Sequence, residues 1–173
     1  MKSKNFDIHS STYIDETEII IGNVSIGKQC GIYPQAVIRG DENSISIQDG
    51  SNIQDCCIIH VDKDHSVSIG KQVSLGHGSI VHGATIEDTC IIGMHATVLN
   101  GAIVKKGSII GAHALVTSNS IIPENSLVLG IPGKVIKQDE SHKEQAIKNA
   151  ETYIYLTKQY LNKQYPRFTQ KKD

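Results

Sequence analysis

The stretch IQDCCIIHVDKDHSVSIGKQVSLGHGSIVHG, residues 53–83, carries the pattern that decides the fold. Ile53 and Ile59 stand six residues apart, as do Ile69, Leu75 and Val81, with one stretched interval between the two groups. The same spacing runs outward in both directions. Upstream it passes through Ile14, Ile20, Ile26, Ile32, Ile38 and Ile47. Downstream it passes through Ile86, Ile92, Val98, Val104, Ile110, Val116, Ile122 and Val128. A helix repeats its faces every 3.6 residues or so and an alternating strand every second residue, so neither explains this period. Many anchors are followed by Gly or Asn, and a small residue often sits near the fifth position, as in IGKQCG and IGAHAL. Such a hexad is one short strand plus a corner. Three of them close a triangular coil, and stacked coils bury the anchors in one continuous core.

This pattern resembles the left-handed parallel β-helix of hexapeptide-repeat proteins, an all-β fold. The hand is what the resemblance implies, because general crossover rules favour the opposite one. Composition agrees: there is no Trp, only two Phe and an abundance of Ile and Val, side chains that suit strands. A formal net charge of -1 argues against a nucleic-acid partner or a polybasic membrane contact. No apolar run approaches a membrane span, and the start, MKSKNFDIHSSTY, has no signal-peptide core, so a cytoplasmic location is expected. Cys30, Cys56, Cys57 and Cys90 lack CxxC spacing and are read as reduced, small core residues. The coils are expected over 1–136 and a C-terminal α-helix over 137–165. That helix would start from a capping box, Ser141 with Glu144, and lay Ile147, Ala150, Ile154, Thr157 and Leu161 along the coils. Residues 166–173 are expected to fray.

Three intervals break the period. Those around RGDENS and VDKDHSVS are stretched, and the one from Val81 to Ile86 is shortened. Insertions in a solenoid bulge outward as loops, commonly on the functional side. Counting each interval as one hexad puts Ile38, Ile59 and Val81 one full coil apart. Arg39, His60 and His82, each following its anchor, then stack at the inter-strand spacing of about 4.8 Å. That spacing lets two imidazoles converge on one metal ion through bonds of about 2.0–2.1 Å. His77 follows Leu75 by two residues and belongs to a neighbouring face. It can complete the site from an adjacent molecule if three prisms pack about a threefold axis. Three-histidine sites with an open position are catalytic rather than structural. Asp55, two residues after Ile53, falls one coil from His77 and is a candidate partner for its ring. The alternative for any single histidine is an ordinary surface residue, the reading given to His9, His65, His95, His113 and His142.

At these positions the chain resembles the γ-class carbonic anhydrases over nearly its whole length. The matching segments are Arg39-Gly-Asp41-Glu42, Ser51-Asn52-Ile-Gln54-Asp55, Ile59-His60, Leu75-Gly-His77 and Val81-His82-Gly83. The resemblance implies a homotrimer with Zn2+ (or Fe2+ or Co2+) between subunits, held by His60 and His82 of one chain and His77 of the next. It implies that Arg39 and Asp41 form an intersubunit salt bridge. Gln54 would orient the hydroxide that attacks CO2 to give bicarbonate, with Asn52 nearby. Met94 and Leu99, one coil beyond His77 and His82, either line an apolar CO2 pocket or pack an interface. The family's long acidic loop, with its glutamate proton shuttle, is missing; only Val61 to Ser66 stand there. Glu42 matches a second functional glutamate, and Asp62, Asp64 or His65 are weak substitutes for the shuttle. Tyr153 matches a helix tyrosine of some short-loop relatives, or else packs the helix on the coils. Two other functions compete. GIPGKVI resembles the segment that ends many acyltransferase coils, which suggests transfer or hydrolysis of an acyl-coenzyme A, and a metal-binding scaffold without activity is the third. The joint presence of Arg39, Asp41, Gln54 and three histidines favours the lyase.

Overall fold

The structure of the chain is a computed structural model that describes residues 6–168. The anchors form three vertical columns, each residue paired in parallel register with the one a coil below. The first column runs Ile8, Ile26, Ile47, Ile69, Ile86, Val104, Ile122. The second runs Ile14, Ile32, Ile53, Leu75, Ile92, Ile110, Val128. The third runs Ile20, Ile38, Ile59, Val81, Val98, Val116. Most of these side chains are fully buried and make one continuous cluster. The result is the left-handed β-helix expected from the hexads, closed by one C-terminal helix.

Corners explain the rest of the hexad. The residue three places after an anchor takes a left-handed backbone conformation, as at Gln72, Thr89, His95, His113, Asn119 and Asn125. The next residue points inward where the triangle is narrowest, so it must be small; Cys30, Cys57 and Cys90 fill that place and are buried. Burial pushes the thiols of Cys30 and Cys90 up to about 11 and about 12 and raises that of Cys57. Cys56 differs from the expectation of a core residue. It occupies a corner at φ 59° and is exposed.

Insertions leave the stack undisturbed. Gly22 pairs with Gly40 and Asn23 with Ser44, so Asp41 to Asn43 swing out of an otherwise continuous strand, Val37–Ile47. Only glycine fits at position 22, because a Cβ there would lie 2.1 Å from the Gly40 carbonyl oxygen.

The C-terminal segment departs from expectation in several respects. Lys134–Gln138 form an antiparallel strand against Ser126–Leu129, and the helix starts only at Ser141, running to Leu161. The capping box does not form. The strand delivers Asp139 to the helix start, where its carboxylate accepts the Ser141 N–H at 3.0 Å and pairs with Lys137 Nζ at 2.6 Å. Lys137, then Ser141, hold the Asp139 carboxyl well below the usual range. The buried face is His142, Ala146, Ala150 and Thr157; of the expected stripe Ala150 and Thr157 are buried, Ile147 and Ile154 half-buried and Leu161 exposed. Small side chains win this face because the helix lies close on the second column, where a Cβ on Gly31 would meet Thr157 Oγ1 at 2.6 Å. The described part of the expected frayed tail is tied down: Arg167 donates to both oxygens of Asp15, at 2.8 and 2.6 Å, and to Glu16 at 2.6 Å. Residues 169–173 lie outside the described residues. No helix of the described residues is long and apolar enough to cross a membrane.

Ile53→Ala is expected to lower stability by about 2–5 kcal/mol through the cavity it leaves, and Ile121→Ala, at 63% exposure, by far less, both read by denaturant unfolding. Arg167→Ala should lower the unfolding temperature at neutral pH. Burial opposes ionisation of Asp15, but hydrogen bonds from Arg167, Thr17 and Tyr13 outweigh it and depress its pKa. A depressed folded pKa stabilises above the unfolded value of about 3.9 and loses that contribution below it. The gap between wild type and variant should therefore narrow as pH falls below about 4; a gap independent of pH would exclude the ion pair as its source.

Candidate functional site

The strand ends that carry Arg39, His60 and His82 are flanked by the Asp41–Asn43 excursion and by the loop from Val61 to Ser66. Register places Arg39 beside His60 and His60 beside His82, one coil apart in each case. The two imidazole centroids lie 4.9 Å apart with planes tilted by 73°. His60 Nδ1 and His82 Nε2 face each other at 3.0 Å.

What stands behind each ring settles its protons. His60 Nε2 lies 3.2 Å from Asp41 Oδ1, and an ionised carboxylate only accepts, so Nε2 carries the hydrogen. His82 Nδ1 lies 2.7 Å from Asn100 Oδ1, another acceptor, so here Nδ1 carries it. The neutral rings are then left with lone pairs on His60 Nδ1 and His82 Nε2, pointing at one another. Two lone pairs at that distance repel unless a cation or a proton lies between them. The Arg39 guanidinium, 2.5 Å from Asp41 Oδ2, holds the Asp41 carboxyl at about 2, with the His60 hydrogen bond helping. Arg39 and Asp41 thus bridge within the chain.

A second group gathers where the helix covers the second column. His77 Nδ1 lies 2.8 Å from Asp55 Oδ2, so its hydrogen is on Nδ1 and its lone pair on Nε2. This ring is half-exposed at a corner and faces outward. Nearby runs a directed, buried chain: Gln54 Nε2 donates to Asn52 Oδ1 at 3.0 Å, and Asn52 Nδ2 donates to Ser74 Oγ at 2.8 Å. Gln54 therefore spends a donor inward and keeps its carboxamide oxygen for an outside donor. Tyr153 packs edge-on against Tyr33 with centroids 5.6 Å apart, and burial, aided by the Asp55 charge, raises its pKa.

The single chain brings together Arg39, Asp41, His60 and His82, and separately Asn52, Gln54, Asp55 and His77. It does not unite the three histidines, and no cluster of three or more His, Cys, Asp or Glu fit to hold a metal ion occurs among the described residues. Glu42 is exposed on the excursion, Met94 is exposed at a corner, and Leu99 is half-buried one coil beyond His82. His95 and His113 stack at successive corners with centroids 5.1 Å apart, and the His95 N–H donates to the His77 carbonyl at 3.0 Å. Sequence reasoning missed Asn100. The available signal was register: Asn100 follows Val98 by two residues, one coil beyond Gly83, and so lies next to His82.

All three histidines thus give one ring nitrogen to an oxygen acceptor and keep a lone pair on the other. That is the donor set and the outer support that zinc and related divalent ions require. The residues fit such an ion.

No protein-family profile matches the chain. A Methanocaldococcus jannaschii protein named probable carbonic anhydrase is 50% identical over 151 residues, 87% of this chain and 95% of that protein. Gamma carbonic anhydrase 1, a mitochondrial protein of Arabidopsis thaliana, is 37% identical over 95 residues, 51% of this chain and 34% of the plant protein. A solved hexapeptide transferase family protein from Anaplasma phagocytophilum superposes with a TM-score of 0.86 at 33% identity, over 90% of this chain and 92% of that one.

Asn52→Leu is expected to cost about 1–3 kcal/mol, because it strips buried Gln54 and Ser74 of their partner. Denaturant unfolding reads this directly, and an unchanged midpoint would mean that water already reaches the pair.

Proposed function

The chain belongs to the γ-carbonic anhydrase-like family, and on that premise we propose that it hydrates CO2 reversibly to bicarbonate in the cytoplasm. The observation that carries the reading is the pair of ring nitrogens, His60 Nδ1 and His82 Nε2, facing each other at 3.0 Å, with an oxygen acceptor behind each ring. In this proposal His60 and His82 of one subunit and His77 of the next, in a homotrimer, hold Zn2+, with Fe2+ or Co2+ as alternatives. An ion of this kind supplies the positive charge that lets water lose a proton near neutral pH.

The chain's own residues do the rest. Gln54, with its amide hydrogen committed to Asn52, turns its oxygen to the attacking water and aligns it. Asn52, fixed by Ser74, keeps Gln54 from rotating. Asp55 orients His77, and Asp41 orients His60 while Arg39 neutralises its charge. The exposed Arg39–Asp41 pair also lies where a neighbouring subunit would meet the histidine face, and there it helps to join the trimer. Leu99 and Met94 form the apolar wall against which CO2 rests. The reaction releases one proton for each bicarbonate. Glu42, exposed beside the site, takes it to solvent in place of the missing acidic loop. Tyr153 supports this half of the site through its packing on Tyr33.

A second reading, acyl transfer from or hydrolysis of an acyl-coenzyme A, is favoured by the likeness to the hexapeptide transferase family protein. It would draw on the same fold.

Stopped-flow CO2 hydration on anaerobically purified, metal-quantified protein separates the two. Activity should track metal content and vanish in His60→Ala, while His77→Ala should lose the metal and keep its strand circular dichroism. Full metal content in His77→Ala would rule out a site shared between subunits. A metal-loaded trimer that hydrates no CO2 but turns over acyl-coenzyme A would replace the lyase by the second reading.

A further inference from the structure

His82 is gripped on the side away from His60 by Asn100, and what holds Asn100 in turn is used by none of the roles above. Asp62 lies in the short loop from Val61 to Ser66. Its carboxylate can only accept hydrogen bonds, and it is fully engaged. Oδ1 takes the N–H groups of Asp64 and His65 at 2.9 and 2.8 Å, and the His65 ring Nδ1 at 2.9 Å. Oδ2 takes the Asn100 side-chain amide. Because Asn100 faces an acceptor there, it must present its NH2 to Asp62 and hence its oxygen to His82. That oxygen, 2.7 Å from His82 Nδ1, in turn demands a hydrogen on Nδ1. Nε2, the nitrogen aimed at His60, is left with its lone pair free.

We propose that Asn100 is a positioning residue that locks the tautomer and orientation of His82, and that Asp62 and its loop serve as the buttress for Asn100 rather than as a proton exit.

The coils are shaped to admit this buttress. Gly83 has φ +57°, and a Cβ there would lie 2.7 Å from the His65 Cβ. The loop rests on this bare floor, which lets Asp62 reach Asn100 across 38 positions of sequence. Gly83 also stands in the one shortened hexad, so the period is broken where the loop needs space. A carboxylate that already accepts from two backbone and two side-chain donors is a poor receiver of a further proton.

The inference rests on the metal-centre reading only for its consequence, the metal affinity; the tautomer is a property of the free protein. The test is histidine nitrogen NMR on the full, metal-free chain at about pH 8.5, where imidazoles of ordinary pKa are neutral, with zinc chloride titrated against a chromophoric chelator. Wild type should show His82 protonated on Nδ1. Asn100→Leu should shift it toward Nε2–H and weaken zinc binding about 10–100-fold. Asn100→Asp made together with Asp62→Asn keeps donor against acceptor and still sets an acceptor oxygen on His82 Nδ1, so it should retain both signals, which a general loss of folding would not. An Nε2–H tautomer in wild type, or an Nδ1–H tautomer that survives Asn100→Leu, would overturn the proposal. If wild type shows the expected tautomer but binds no zinc, the metal reading fails and the positioning role of Asn100 stands.

Discussion

Each strand within the coils has one way to satisfy its backbone hydrogen bonds: the strands a full coil above and below, at a spacing of about 4.8 Å. Unsatisfied buried amides are costly, so the ladder must be kept in every coil and in all three columns. Everything else follows from that. Extra residues cannot be absorbed within the stack, which is why Asp41 to Asn43 swing outward while Gly22–Gly40 and Asn23–Ser44 remain paired. Residues that follow successive anchors must stand above one another, which is why Arg39, His60 and His82 form a line. The ladder that stabilises the core is also the ruler that sets the distance between the two imidazoles.

The oxygen atoms behind the histidines then give that line a direction. Asp41, Asn100 and Asp55 each take a hydrogen from the outer ring nitrogen. The inner nitrogens are thereby left electron-rich without any charged group having to enter the site. Gln54 is handled in the same manner, its donor drawn inward through Asn52 to Ser74 and its acceptor left outward. In the proposed reading the two halves meet an electrophile and a polarised water, and because they lie on different faces of one prism a neighbouring prism would have to bring them together.

Legibility in the sequence tracked how local the cause was. The three columns and the alignment of Arg39, His60 and His82 could be read because a fixed period converts position into height. Asp55 beside His77 followed from the same counting. Features decided by tertiary contact were not readable. The spacing of Ser141 and Glu144 matched a capping box, but the strand Lys134–Gln138 brings Asp139 to the helix start first. Ala150 and Thr157 are buried as the stripe required, but Ala146 and His142 join them in place of Leu161, because the distance between helix and coils, not hydrophobicity, selects that face. Cys56 resembled its neighbour Cys57 until corner and core were told apart, and Arg167 found Asp15 from the far end of the chain. Asn100 beside His82 lay within reach of the same counting, whereas its other partner, Asp62, sits in a loop whose path no period describes.

A stack of coils in which each touches only its neighbours behaves as a one-dimensional array, free to fray from either end. The C-terminal helix alters that. His142 at its start bonds the Asn125 carbonyl in the last coils, at 2.9 Å, while Tyr160 near its end packs on Tyr13 in the first, with centroids 4.8 Å apart. The chain thus returns along its own stack like a stay fastened at top and bottom, and losing an end coil means losing the stay as well. Distant coils acquire a common fate, and an array of near-identical repeats gains the all-or-none unfolding of a globular domain.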